Sequence, residues 1–279
     1  CEMLDKLPPS VWKNKDLKWL DPANGIGNFP IVVYYKLMKG LKSVITDEAK
    51  RSKHIIEKML YMVELNPVNC KVCKKIFKMI DSTAKANILK ASFLDFGDET
   101  IIERQINKLE SDKVSIENQI DLLKDELKQL SKEKAPESSL TMQKKDEKDK
   151  LSKALEDIKK ELKNLQKKLK DVKETNKKIK KLFPKNPWPG TFDIIMGNPP
   201  YNIPKESKLT GGYGGRSLWD KFVINSIDNC LKTSGLLLFV HPPSWRKPEH
   251  KLWNKISQEN QIIYLKCFTE GGSNKKWNF

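Results

Sequence analysis

Leu17-Lys18-Trp19-Leu20-Asp21-Pro22-Ala23-Asn24-Gly25-Ile26-Gly27-Asn28-Phe29 is the stretch that decides the fold. A short apolar run ends in an acid and a proline, and a Gly-x-Gly turn follows. Residues 30–41 then place Ile31, Val32, Tyr34, Tyr35, Leu37 and Met38 at helical spacing. Strand, glycine turn and helix in that order let backbone approach a ligand at the carboxyl edge of a parallel sheet. The third glycine of the dinucleotide fingerprint is missing, so no pyrophosphate cradle is expected. The fold class this predicts is α/β and Rossmann-like.

Further along, Asp193-Ile194-Ile195-Met196-Gly197 reads as an apolar strand that runs into Asn198-Pro199-Pro200-Tyr201. Two consecutive prolines donate no N–H and fix φ, so the chain leaves the sheet in a rigid extended turn. That turn holds the Asn198 side-chain carbonyl and the Pro199 backbone carbonyl as neighbouring acceptors, with the Tyr201 ring beside them. Two acceptors and a ring suit a planar exocyclic amine.

With Asp21-Pro22-Ala23-x-Gly25-x-Gly27-x-Phe29 upstream and Asn198-Pro199-Pro200-Tyr201 downstream, the chain resembles the gamma class of DNA adenine-N6 methyltransferases, within it the Eco57I-like type II restriction-modification methylases. The resemblance covers residues 1–98 and 186–279 and not the stretch between. It implies a Rossmann-like methyltransferase fold, S-adenosylmethionine (SAM) as cofactor and double-stranded DNA as partner. Asn198, Pro199, Pro200 and Tyr201 would be the catalytic tetrapeptide, acting on an adenine flipped out of the duplex. Asp21, Pro22, Ala23, Gly25, Gly27 and Phe29 would form the cofactor turn. Leu60–Glu64 reads as a second strand, and Glu64, followed by Asn66-Pro67, resembles the acid that holds the ribose diol. About 20 residues usually separate glycine turn and acid, and here the interval is roughly double. Asp47 lies nearer that interval but has no strand before it. Asn87–Leu89 reads as a third strand. Asp95 after it resembles the family residue that binds the adenine amino group of SAM, with Phe96 against the ring. Ser217–Leu231 reads as an amphipathic helix and Gly235–Val240 as a buried strand. Trp245, in His241-Pro242-Pro243-Ser244-Trp245, is a candidate to stack on the target base or to pack in the core. Ile262–Leu265 is the expected next strand.

Asn-Pro-Pro-Tyr also occurs in methyltransferases acting on a protein glutamine or on RNA. Those usually carry a different glycine motif, without Asp-Pro-Ala. A third alternative is the methylase part of a fused restriction enzyme.

Residues 99–185 depart from the family. Ile102, Ile106, Leu109, Ile116, Ile120, Leu123, Leu127 and Leu130 follow steps of three and four, with Lys113 in the one missing slot. Leu151, Leu155, Ile158, Leu162, Leu165, Leu169, Val172 and Ile179 do the same. Two heptad seams around a reversal in Ser131–Thr141 predict a long antiparallel coiled-coil hairpin inserted into the fold. The expected organisation is therefore a cofactor-binding half at 1–98, the hairpin at 99–185 and a catalytic half at 186–279. The lysine-rich second arm reads as a solvated face or as a contact with DNA phosphates, and the seam offers a route to self-association.

The chain has 279 residues, 53 basic against 36 acidic side chains, and a formal charge of +17. That excess suits a polyanionic partner. No run approaches the ~20 apolar residues of a membrane span and no signal peptide is visible, so an intracellular, cytoplasmic location is expected. Cys70-Lys71-Val72-Cys73 lacks a second Cys or His pair, and the three histidines are scattered, so no metal site is expected. Gly211-Gly212-Tyr213-Gly214-Gly215-Arg216 reads as a plain linker, a mobile lid or, through its Tyr and Arg, a nucleic-acid contact. The opening at Cys1 and the end at Lys275-Lys276-Trp277-Asn278-Phe279, before any recognition domain, read as a fragment.

Overall fold

The computed structural model describes residues 2–132, 139–184, 188–202 and 217–267. The reversal around Pro136, the loop Gly211–Arg216 and the final residues lie outside them. The chain divides into two compact units, Cys1–Leu94 with Ile179–Phe279, and Asp95–Lys178.

The first unit is built on one sheet: β1 (Trp19–Asp21), β2 (Leu60–Glu64), β3 (Asn87–Lys90), β4 (Phe192–Gly197) and β5 (Leu231–Phe239). The strand order is β3-β2-β1-β4-β5, and every neighbouring pair is parallel. The register places Leu20 opposite Tyr61 and Ile195, so β1 is central. Helix α1 (Asn28–Gly40) follows the glycine turn and buries Pro30, Val33, Tyr34 and Leu37, one face at helical spacing. Helix α2 (Glu48–His54) is capped by Asp47, whose side chain accepts the Lys50 N–H at 2.8 Å. It widens into a π turn at Ile55–Met59 before β2. Helix α3 (Pro67–Ile80) has Asn66 as its cap, Pro67 in its first turn, and Cys70, Cys73 and Phe77 on its buried face. These faces close over Trp19, Met62, Ile194 and Met196 in one apolar core. Asn87 stitches β3 to the π turn, its Nδ2 donating to the carbonyls of Glu57 at 2.9 Å and Leu60 at 3.0 Å.

Two sequence expectations are corrected here. Gly235–Val240 belongs to a longer strand that begins at Leu231 and is only half-buried. Among the described residues it is the edge of the sheet, with β4 on one side alone. Its register slips between Phe192 and Ile194, around Ser234 at φ +64°. Ile262–Leu265 is not a strand: residues 261–267 join no ladder, and Ile263 is 66% exposed. An apolar run becomes a strand only where a sheet edge receives it, and among the described residues β5 pairs only with β4.

In the second unit, α4 (Glu99–Lys132) and α5 (Ser139–Leu182) carry the two apolar seams. Ile102, Ile106, Leu162 and Val172 are buried together, with Leu109, Ile158, Leu165 and Leu169 against them. Ion pairs flank this cluster: Glu103–Lys173 at 3.0 Å, Glu117–Lys159 at 3.5 Å and Glu126–Lys144 at 2.6 Å. Asn176 adds a hydrogen bond to Glu99 at 2.8 Å. Among the described residues no helix is long and apolar enough to cross a membrane.

Candidate functional site

The strand order reverses between β1 and β4, and in open parallel sheets ligands sit at the carboxyl ends of the strands flanking such a point. Here those ends carry the two sequence motifs. A Cβ placed on Gly197 would come within 3.0 Å of Asp21 Oδ1 and 3.5 Å of Pro22 Cδ. The residue preceding Asn198 therefore lies directly against the Asp21-Pro22 corner, and any larger residue there would press on the Asp21 carboxylate.

Asp21 is 1% exposed and accepts the Ala23 N–H at 3.1 Å. Burial pushes its carboxyl up to about 7; the Ala23 amide works against the rise and the Glu64 charge adds to it. Glu64 ends β2 as a clasp on the turn. Its Oε2 accepts the Gly25 N–H at 2.7 Å and its Oε1 accepts the Asn66 N–H at 2.7 Å. Asp47, the alternative acid, is exposed and serves as the α2 cap.

The turn is left-handed twice, with Gly25 at φ +57° and Gly27 at φ +103°. Beside Gly25 there is open space, since a Cβ there meets nothing within 4 Å. Beneath Gly27 there is none, because a Cβ would lie 2.9 Å from Cys73 Sγ. Cys73 also receives Asn24 Nδ2 at 3.2 Å, and Cys70 donates to the Glu64 carbonyl at 3.4 Å. Both cysteines lie on the buried face of α3. The Cys73 thiol is the floor of the glycine turn, and Cys70 ties α3 to the end of β2. Burial raises Cys73 to about 11, so it remains a thiol. Sequence reasoning missed Asn24. It is 5% exposed and its Oδ1 is buried with no hydrogen-bond partner among the described residues.

After β4, Asn198 is exposed, Pro199 buried, Pro200 exposed and Tyr201 half-buried. The Tyr201 carbonyl accepts the N–H groups of Leu218 at 2.9 Å and Trp219 at 3.4 Å, at the start of α6 (Trp219–Asn225). Its ring packs on a buried cluster of Trp219, Val223, Trp245 and Leu252. Trp245 is therefore core, with no ring face open to a base. Burial pushes the Tyr201 phenol up to about 12. Just past β5, the Val240 N–H donates to the Gly197 carbonyl at 3.2 Å, which brings His241 beside the Asn-Pro-Pro-Tyr turn. His241 stacks on Trp219 with ring centres 5.0 Å apart, and His250 stacks on it at 5.7 Å. Burial lowers the His241 pKa, against a hydrogen bond with the Pro242 carbonyl that raises it.

Asp95 closes a short 3-10 turn, Phe93–Asp95. Its carboxyl is shifted up by burial first and by Asp171, with Lys168, Lys178 and Lys167 opposing. Phe96 is 1% exposed. Among the described residues no group of three or more His, Cys, Asp or Glu is placed to hold a metal ion.

These features define a Rossmann-like α/β protein whose two motif turns meet at its strand-order switch point. Residues 58–272 match the family described as Eco57I restriction-modification methylase, and the chain belongs to that family. A 66-residue stretch is 47% identical to a protein of Mycoplasma pneumoniae described as an uncharacterized adenine-specific methylase. That stretch is 23% of this chain and 16% of the relative, so the chain spans a small part of the curated protein it matches.

Proposed function

We propose that the chain is the methyltransferase part of a SAM-dependent, site-specific DNA adenine-N6 methyltransferase of the cytoplasm, acting on double-stranded DNA. The observation that carries the reading is the contact of Asp21-Pro22 with Gly197, because it sets the cofactor turn and the Asn198 turn side by side at one sheet edge.

The residues present suit SAM. A buried carboxyl with one amide bond at Asp21, a second acid at Glu64, open space beside Gly25 and an unpartnered Asn24 Oδ1 together favour a cationic ligand rich in donors. Bound SAM would supply an electrophilic methyl group on a cationic sulfur. Asp21 and Glu64 provide the negative environment that such a cation prefers, and Glu64 takes the ribose hydroxyls. Asn24-Gly25-Ile26-Gly27 brings backbone close, and Phe29 anchors the start of α1 on the apolar core beneath it. The assignment of Asp95 and Phe96 to the adenine of the cofactor rests on their place after β3 and on the family resemblance.

At the substrate side, Asn198 Oδ1 and the Pro199 carbonyl accept the two N6 hydrogens of a flipped adenine. This draws electron density onto nitrogen and aims its lone pair along the transfer axis. Pro200 keeps the turn rigid, and Tyr201 supplies the ring on which the base stacks. Positioning and electrostatics carry the rate.

The inserted helices α4 and α5 form, in this reading, an antiparallel coiled-coil hairpin. The support is the pairing of rising numbers on α4 (103, 117, 126) with falling numbers on α5 (173, 159, 144).

Asn198→Ala is the test. It should lower methyl transfer to DNA by roughly 10²–10³-fold, the usual cost of one positioned transition-state partner, with SAM affinity by calorimetry unchanged. Lost SAM binding would contradict the assigned role. Digesting the product of the unmodified chain to nucleosides should yield N6-methyladenine. Methylated RNA or a methylated glutamine would move the protein to another substrate class.

A further inference from the structure

The outer faces of α4 and α5 differ in a way that the composition of the chain does not explain. Opposite its apolar seam, α5 places Lys160, Lys163, Lys167, Lys170, Glu174 and Lys177 at steps of three and four, all exposed. Five lysines against one glutamate give this stretch a net charge of +4, whereas the same face nearer the N-terminus of α5, with Asp146, Asp149, Lys153 and Glu156, carries −2. On α4 the outer positions alongside that stretch are Arg104, Asn107, Ser111 and Val114, with a net charge of +1, and the whole outer face, which adds Asn118, Asp121, Asp125 and Lys128, sums to zero. A general lysine bias would raise both faces alike. The lysines flanking the seam behave differently again: Lys159 and Lys173 pair with Glu117 and Glu103. None of the five outer lysines takes part in an ion pair among the described residues.

We propose that the outer face of α5 is a second DNA contact, one that grips the phosphate backbone of a duplex without reading its sequence. From Lys160 to Lys177 the stripe runs for about 26 Å at ~1.5 Å per residue. A duplex presents one phosphate charge per ~1.7 Å of axis, so about 15 phosphates lie within that reach. Exposed lysine side chains along one helix face suit point contacts with phosphate and offer no bidentate base readout. The choice of duplex DNA over another polyanion rests on the proposed function; the charged face itself does not.

The test measures binding and methyl transfer separately. Binding of the chain to a 40-base-pair duplex of arbitrary sequence is followed by fluorescence anisotropy across salt concentrations. The stripe variant carries Lys160→Gln, Lys163→Gln, Lys167→Gln, Lys170→Gln and Lys177→Gln, since glutamine keeps helix propensity. A control with the same charge loss carries Lys13→Gln, Lys39→Gln, Lys42→Gln, Lys53→Gln and Lys78→Gln, all exposed in the first unit. Each phosphate contact contributes about 0.9 to the slope of log K against log salt, so the stripe variant should lose roughly 4 from that slope and at least ~10-fold in affinity near 0.1 M salt. The control should keep most of both. Equal losses in the two variants, or an unchanged slope in the stripe variant, would overturn the proposal. So would stripe-dependent binding to phosphatidylserine vesicles in place of the duplex. A chain that shows the stripe-dependent slope but transfers no methyl group leaves this surface standing and refutes the proposed function instead.

Discussion

Asp21→Asn removes a buried acid while leaving its shape. The folded carboxyl titrates at about 7, against an ordinary value of 3.8, and burial is the main cause. A raised acid means that the folded chain holds a proton which the unfolded chain releases, between about pH 4 and pH 7. Stability therefore falls as pH rises through that window, by up to about 1.4 kcal/mol per unit, and is level above it. The full penalty, about 4 kcal/mol, is an upper value, and Asn introduces buried N–H donors that cost about 1–3 kcal/mol of it. Asp21→Asn should lose to the unmodified chain at pH 4.5 and match or exceed it at pH 8. The difference in melting temperature between the two should swing by up to about 10 °C, at ~2–4 °C per kcal/mol. Circular dichroism melts at half-unit steps measure this directly. The same acid should couple to the cofactor, because a bound sulfonium favours the ionised form. At pH 6, SAM binding should release close to one proton, read by calorimetry in buffers of different ionisation enthalpy, and the neutral product S-adenosylhomocysteine should release far less. Parallel pH profiles for the two chains, or equal proton release with both ligands, would refute the reasoning.

Gly27→Ala puts a Cβ 2.9 Å from Cys73 Sγ at φ +103° and should cost roughly 2–3 kcal/mol in a denaturant melt; Gly25→Ala, with open space and φ +57°, should cost only about 1 kcal/mol while weakening SAM binding more. Cys267 is exposed and Cys73 buried as a thiol near pKa 11, so iodoacetamide at pH 8 should label Cys267 within minutes and Cys73 only after unfolding, as read by peptide mass spectrometry. Ile102→Ala empties a fully buried position in the cluster that includes Val172 and should destabilise the second unit by about 2–5 kcal/mol, visible as earlier loss of helical signal or faster amide exchange over 99–178.

Much of the fold was legible because its signals are local. The glycine turn, the buried faces of α1 and α3 and the two seams each follow from residues within a few turns of one another, and burial of Val33, Tyr34 and Leu37 or of Ile102 and Ile106 needs no knowledge of distant chain. The misses involve partners. Ile262–Leu265 has the composition of a strand, and a strand exists only when an edge accepts it. Gly235–Val240 is apolar throughout, yet an edge position leaves it half open. Trp245 offers a ring to any purpose, and the neighbours Trp219 and Leu252 assign it to the core.

The sequence by itself determined a Rossmann-like α/β chain, the residues of its glycine turn, its Asn-Pro-Pro-Tyr corner and a charged helical insertion, because motif spacing and periodicity are properties of short segments. Tertiary structure alone decided that β4 lies beside β1, so that Gly197 touches Asp21 and the two corners share one edge. It alone gave Glu64 its hold on Gly25 and put Cys73 under Gly27. These contacts join residues dozens to more than a hundred positions apart, and only the order of strands in the sheet brings such residues within bonding distance.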